Sequence, residues 1–466
     1  MSPPTAARRV VVLAFVVSAL AGCRTPEDGS DGSGGASEAS PPPAFVEAPG
    51  FLYGRVSTYD GSVYEGRLRW GGGEEAFWGD YFNGVKDVNP WAAYTPLDEA
   101  AEERSGFFGI EFPWEEPRVD LSRPFMARFG DIARIEARGD GVRGMIEDRA
   151  EFDPDVRVVL KSGAVFDLDR LSASDFDDGV RVWDGERGVV DLGPREVRSI
   201  ELLPTAPLAA APDRLYGTVR TRQGEFTGFL QWDREAAVGR DRLVGRTSSG
   251  EVGLRFDAVR AIIRRPDGDS QVTLADGREV VLSGTRAVGS GNRGVYVDDP
   301  RYGRVLVSWD AFERVDFRPG SGGPGGTGPA YGDFLPGRPL TGRVTTRAGR
   351  RLDGRLVYDL DESETTETLD APAGGVDYTV PFGLIASVAL PESGGRGGAA
   401  ATLTLRSGES LALERAGDLG DSNAGVLVFA DGRESPEYVP WTDVERIDFD
   451  ASPDAAARTE PRLEGS

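Results

Sequence analysis

Apolar and polar residues alternate through short stretches of this chain that run into a glycine and out again. Val158-Val159-Leu160-Lys161-Ser162-Gly163, Val272-Thr273-Leu274-Ala275-Asp276-Gly277 and Leu403-Thr404-Leu405-Arg406-Ser407-Gly408 show it most clearly. A period of two turns one face of a strand toward a core, and glycine supplies the positive φ of a tight turn, so each stretch predicts a β-hairpin. A second pattern steps by three: Phe129, Ile132, Ile135; Phe256, Val259, Ile262; Trp309, Phe312, Val315; Phe382, Ile385, Val388; Trp441, Val444, Ile447. Pro194, Val197 and Ile200 follow it without the aromatic. Two intervals of three predict a single 3-10 turn leading into a strand, because no run is long enough for an amphipathic helix.

The patterns return in register. Leu52-Tyr53-Gly54-Arg55-Val56-Ser57-Thr58, with Gly61, Gly66, Leu68 and Trp70, matches Leu215 to Thr221 with Gly224, Gly228, Leu230 and Trp232. It matches again at Leu340 to Thr346 with Gly349, Gly354, Leu356 and Tyr358. Repetition is therefore the organising principle, and each copy divides into two halves that echo one another. A hairpin, further strands, a 3-10 turn and a closing strand within about 45–60 residues resemble a small SH3-like or Sm-like barrel in pattern. The resemblance implies an all-β fold of three tandem repeats, each made of two antiparallel barrel halves, and brings no catalytic residues with it. A β-sandwich or an open β array is the competing architecture.

Composition sets the boundaries. The repeats span 51–202, 213–317 and 340–450, with an Ala/Pro linker at 203–212 and a Gly/Pro linker at 318–339. Residues 451–466 are a polar tail, expected to be loose. Residues 23–50 are Gly, Ser, Pro and acidic residues with almost nothing bulky and apolar, which is the composition of a disordered stalk.

Residues 1–22 read as an export signal. Arg8 and Arg9 precede the apolar run Val10 to Leu20, too short to span a bilayer, and small residues follow. Leu20-Ala21-Gly22-Cys23 resembles the lipobox of bacterial lipoproteins. The resemblance implies cleavage before Cys23, acylation of that residue, and a membrane anchor. Arg24 at the next position implies, for this class, the outer membrane, on its periplasmic or surface-facing side.

Cys23 is the only cysteine, and histidine is absent. Ser-His-Asp and Cys-His nucleophilic sites, His/Cys zinc sites and internal disulfides are thereby excluded. The net charge of −24 repels phosphate backbones, so nucleic acid is not an expected ligand. No cofactor is expected. Gly139-Asp140-Gly141-Val142-Arg143-Gly144 and Gly289-Ser290-Gly291-Asn292-Arg293-Gly294 match the dinucleotide fingerprint, but 63 glycines make such matches common and no βαβ unit surrounds them. A recurring turn before a strand explains the second. The acidic loop Asp359, Asp361, Glu362, Glu364 and Glu367 lacks the EF-hand order and is expected to be solvated, without a metal.

One segment, 71–123 in the first repeat, breaks the pattern and is dense in aromatics. Trp78, Tyr81, Trp91, Tyr94, Phe108 and Trp114 are its candidate binding residues, since exposed rings with carboxylates between them suit a protein-docking surface or a glycan platform. Extra core for the first repeat is the alternative. The expected function is that of a non-enzymatic, lipid-anchored envelope protein whose β repeats act as scaffold or binding module. The alternative is a glycan-binding protein, or a polysaccharide-acting enzyme using paired carboxylates.

Overall fold

The computed structural model of the protein describes residues 46–71, 73–86, 89–94, 123–138, 156–168, 174–208, 210–318, 326–391, 400–433 and 435–451. Cys23 and its lipobox, Phe108, Trp114 and the first G-x-G-x-x-G match lie outside the described residues.

The fold is all-β, and each repeat contributes ten strands. Repeat 1 holds β1 (Tyr53–Thr58), β2 (Val63–Trp70), β3 (Tyr81–Lys86), β4 (Arg123–Arg128), β5 (Ile132–Ala137), β6 (Val156–Leu160), β7 (Val165–Leu168), β8 (Val180–Asp184), β9 (Gly188–Leu192) and β10 (Val197–Leu202). Repeat 2 holds β11 (Tyr216–Thr221), β12 (Gly224–Trp232), β13 (Arg242–Thr247), β14 (Gly250–Arg255), β15 (Val259–Arg264), β16 (Ser270–Leu274), β17 (Glu279–Leu282), β18 (Val295–Asp299), β19 (Gly303–Val307) and β20 (Phe312–Phe317). Repeat 3 holds β21 (Thr341–Thr346), β22 (Arg351–Tyr358), β23 (Thr368–Ala373), β24 (Val376–Pro381), β25 (Ile385–Ala389), β26 (Ala401–Leu405), β27 (Ser410–Leu413), β28 (Val426–Phe429), β29 (Glu437–Val439) and β30 (Val444–Phe449).

In repeat 1 all ten form one antiparallel sheet, ordered β4-β3-β7-β6-β5-β10-β1-β2-β8-β9. Exchanging the first five strands with the last five and reading backward returns the same order, so the two halves echo in space as they do in sequence. They are nonetheless not the separate barrels that the pattern predicts. Strands β3 to β7 form one part, the flanking strands β1, β2, β8, β9 and β10 form the other, and no closed barrel occurs among the described residues. The reason lies in the two closing strands. Instead of each closing its own half, β5 pairs with β10, placing the fully buried Ile135 opposite the fully buried Ile200. The open array, expected as the alternative, is the architecture observed.

Repeats 2 and 3 keep this order over eight strands each, while hairpin β13–β14 of repeat 2 stands as a separate two-stranded sheet and hairpin β23–β24 of repeat 3 is exchanged. Strand β24 of repeat 3 pairs with β19 of repeat 2, Val305 opposite Tyr378, so hairpin β23–β24 completes the sheet of its neighbour. The corresponding strands of repeats 1 and 2, β9 and β14, make no such pair. The same register would set Asp191 against Glu251 and spend two positions of β14 on Gly250 and Gly253, a like-charge contact on a weak strand.

The recurring residues have recurring work. At Gly66, Gly228 and Gly354 an added Cβ would lie 1.9, 2.0 and 2.3 Å from the carbonyl oxygens of Trp183, Asp298 and Phe429 on the next strand. Only glycine admits that approach. The 3-10 turns expected from the aromatic steps begin at Phe129, Phe256, Phe382 and Trp441, and each feeds a strand. At Trp309 a hydrogen-bonded turn, Phe312 N–H to Ser308 O at 2.9 Å, takes their place. Trp232 Nε1 donates to Ala287 O at 2.8 Å and Tyr358 Oη to Asp418 O at 2.7 Å; Trp70 Nε1 donates to Asp175 O in the same way. The second G-x-G-x-x-G begins two residues after the acceptor Ala287 and folds back on it. Asn292 Nδ2 donates to Ala287 O, Asn292 Oδ1 accepts from Gly294 N–H, and Asn423 repeats both contacts in repeat 3.

Three boundaries move inward. Val46 pairs with Leu208, and Ala48 and Phe51 are buried with Val238, so the ends of the expected stalk and Ala/Pro linker belong to the folded body. Within the expected Gly/Pro linker, Tyr331 and Phe334 pack on Phe77 of repeat 1, and Lys161 Nζ donates to Tyr331 O at 2.5 Å. The segment 71–123 is only partly an insertion. Its residues 81–86 are β3, the counterpart of β13 and β23, disguised in sequence by its aromatics.

Candidate functional site

Of the described aromatics of 71–123, Phe82 joins the repeat 1 core against Trp70 and Phe129, whereas the four candidates Trp78, Tyr81, Trp91 and Tyr94 serve two junctions. Tyr81 is buried, 5.2 Å from the Arg304 guanidinium, and Trp78 lies half-buried against Phe334 with Arg128 4.8 Å from its ring. Both face repeat 2 and the linker. Trp91 and Tyr94 instead reach the outer face of the repeat 3 sheet, where their rings meet Phe429 edge-on at 5.9 and 5.7 Å. Trp91 packs there with Val357, Leu360 and Leu427, and Asn89 Nδ2 ties the loop down by donating to Leu360 O at 2.9 Å. Tyr94 remains 44% exposed. The structure thus brings Trp91 and Tyr94 together and places Trp78 and Tyr81 elsewhere.

Beneath Trp91 and Tyr94 lies Arg355, which sequence reasoning did not select. Its guanidinium sits 4.0 Å from the Phe429 ring and 5.3 Å from Trp91. Arg355 follows the invariant glycine of the repeat, as Arg67 does in repeat 1, and each faces an aromatic on the adjacent strand: Phe429 opposite Arg355, Trp183 opposite Arg67. In repeat 2 that pair is Phe229 and Asp298, and Arg214 comes over the Phe229 ring at 4.0 Å. One guanidinium on one ring therefore recurs on the outer face of all three sheets. Two of the three have an acid: Glu75 for Arg67 and, at 3.8 Å, Asp298 for Arg214. Among the described residues Arg355 has no carboxylate partner. Burial pulls its pKa below the ordinary arginine value, with Tyr94 opposing the shift.

Two further sets of buried charges join repeats to one another. Lys86 of β3 reaches Asp361 at 2.6 Å and Glu367 at 3.3 Å in repeat 3. Burial disfavours its charge, but Glu367 and Asp361 outweigh that and raise the pKa above the usual lysine value. The acidic loop expected to be solvated is therefore a receptor for a lysine of repeat 1. Its Glu367 also has a structural task, accepting the N–H groups of Ser363 and Glu364, as Asp80 and Asp241 do for the corresponding turns of repeats 1 and 2. Between repeats 1 and 2, Arg304 bridges Asp298 at 2.9 Å and Asp80 at 3.2 Å. No group of three or more acidic side chains is arranged to hold a metal among the described residues. A cleft of about 450 Å³ opens between repeats 1 and 2, but Arg286 there is already paired with Asp233 and Glu235.

Among the carboxyls held above their ordinary range, Glu74 and Asp370 show the effect most plainly. Burial, then Asp80, raises Glu74 from 4.5 to about 7, and burial raises Asp370 from 3.8 to about 6 against a hydrogen bond from Thr379. An acid with a raised pKa holds its proton more tightly when folded, so stability is greatest below the unfolded value and declines as pH rises to the folded one. The decline runs from 3.8 to about 6 for Asp370 and from 4.5 to about 7 for Glu74. Combining Glu74→Gln with Asp370→Asn is expected to make the decline shallower, read as urea midpoints between acid and mildly alkaline buffer. A slope identical to wild type would acquit both groups.

No protein-family model matches the chain, and no curated protein or solved structure matches it.

Proposed function

We propose that the protein is a non-enzymatic, lipid-anchored protein of the bacterial cell envelope, in which three β repeats form a rigid binding scaffold displaying the Trp91–Tyr94–Arg355 patch. The lipobox supports the anchor, with Cys23 as the acylated residue. The patch carries the binding reading: an exposed ring and a guanidinium with no acid among the described residues, held on a framework whose buried Arg67, Lys86 and Arg214 are each answered by a carboxylate. Asp361 and Glu367, on the loop that follows the Arg355 strand, are bound to Lys86, which does not suit an acid–base pair free to act on a glycosidic bond.

Metabolic lipid labelling tests the anchor. Label and membrane association are expected in wild type and absent in Cys23→Ala; equal labelling of the two would reject it. Crosslinking on whole cells tests the patch, using Trp91→Ala with Tyr94→Ala. Removing 71–123 entire would delete β3 and Lys86 and so confuse lost binding with lost folding. Capture that is indifferent to the two substitutions would reject this surface.

A further inference from the structure

The three sheets supply their own comparison. A guanidinium stacked on a ring recurs in each, and in repeats 1 and 2 it is buried and an internal carboxylate answers it. The acid is not incidental there: Arg67 and Arg214 are only 3% and 7% exposed, and a charge so enclosed is tolerated when it is paired. Arg355 occupies the same place and is half-buried, with Trp91 and Phe429 beside its guanidinium and no acid among the described residues.

We infer that Arg355 binds a carboxylate supplied from outside the chain, and that the donor is a hexuronate unit of an acidic glycan. This rests on the envelope-binding reading above. The planar guanidinium fork matches the two oxygens of a carboxylate, in the role that Glu75 fills for Arg67. The rings decide between donors. Tyr94 presents exposed aromatic surface next to the fork, and a pyranose has an apolar C–H face to lay on it while holding its carboxylate rigidly at the ring edge. A single sugar acid meets both features, whereas an acidic peptide side chain offers the carboxylate without the face. The net charge of −24 slows the approach of an anion but does not oppose the contact itself, because exposed charges more than about 8 Å away are largely screened at physiological salt.

The test is calorimetric titration of the full-length protein with a galacturonate trisaccharide, the corresponding neutral galactose trisaccharide, and propionate. The uronate is expected to bind, with both controls at least about tenfold weaker. Arg355→Gln should weaken uronate binding by about tenfold or more, the loss of a charge-assisted bidentate contact. Arg351→Gln, an exposed arginine on the same strand, should leave it unchanged. Tyr94→Ala replaces a residue outside the sheet and should weaken binding several-fold, so it decides the matter if Arg355→Gln also alters thermal stability. No uronate binding, binding retained in Arg355→Gln, or propionate binding as tightly as the uronate would overturn the assignment, the last in favour of a peptide carboxylate. None of these results bears on lipid labelling of Cys23 or on crosslinking through Trp91 and Tyr94, so this inference can fail while the reading beneath it stands.

Discussion

Replacing Lys86 with methionine is expected to cost about 3–5 kcal/mol, the penalty for removing one member of a buried ion pair and leaving the other unanswered. The side chains of Lys86, Asp361 and Glu367 are 8%, 7% and 11% exposed, so water cannot take over the lysine's role. Two carboxylates of one repeat 3 loop would then be left together, unanswered, at the junction with repeat 1. Adding Asp361→Asn to Lys86→Met should therefore restore part of the loss, and the cycle should show coupling of about 0.5–3 kcal/mol. Urea unfolding of the four proteins measures it. A midpoint for Lys86→Met indistinguishable from wild type, or strict additivity in the cycle, would mean that the junction is wetter than the geometry describes.

Trp232→Ala comes next in size, at about 3–5 kcal/mol for emptying an aromatic site in a packed core. Trp232 is 1% exposed and touches Phe256, Trp309 and Phe312, so little can collapse into the space. The chain itself names the tolerated replacement. Repeat 3 has Tyr358 at this place, its hydroxyl donating to the same turn that the Trp232 indole serves. Trp232→Tyr should therefore lose clearly less than Trp232→Ala, because it keeps most of the ring volume and a donor for the turn. Thermal unfolding separates the two variants, and equal losses from both would show that the turn carbonyl of Ala287 contributes nothing.

Local features were legible in sequence because local physics determines them. Alternation into Ser162-Gly163, Asp276-Gly277 and Ser407-Gly408 marked hairpins, and the aromatic at Phe129, Phe256, Phe382 and Trp441 marked the turn before a strand. Strand order was not legible. Ile135 and Ile200 have the same character as any other core pair, so nothing in their residue types said that β5 would pair with β10 instead of closing its own half. The site divided likewise. Trp91 and Tyr94 stood out as aromatics in an irregular segment, but Arg355 is one of many arginines and gains its meaning from Phe429 on another strand. A signal did exist: alignment of the repeats puts Arg67 and Arg355 directly after equivalent glycines. Lys86 was readable as one of two lysines but not as the guest of a loop some 275 residues away.

The exchange of hairpin β23–β24 also imposes a schedule. A chain that emerges amino terminus first completes β19 at Val307, yet the strand that covers β19 begins at Val376. At about 5–20 residues per second the interval is on the order of ten seconds, during which repeat 2 presents a bare strand edge. Unpaired edges recruit the strands of other molecules. Maturation of repeat 2 thus waits on repeat 3, and a holding partner that shields nascent strands would be needed most over that stretch of synthesis.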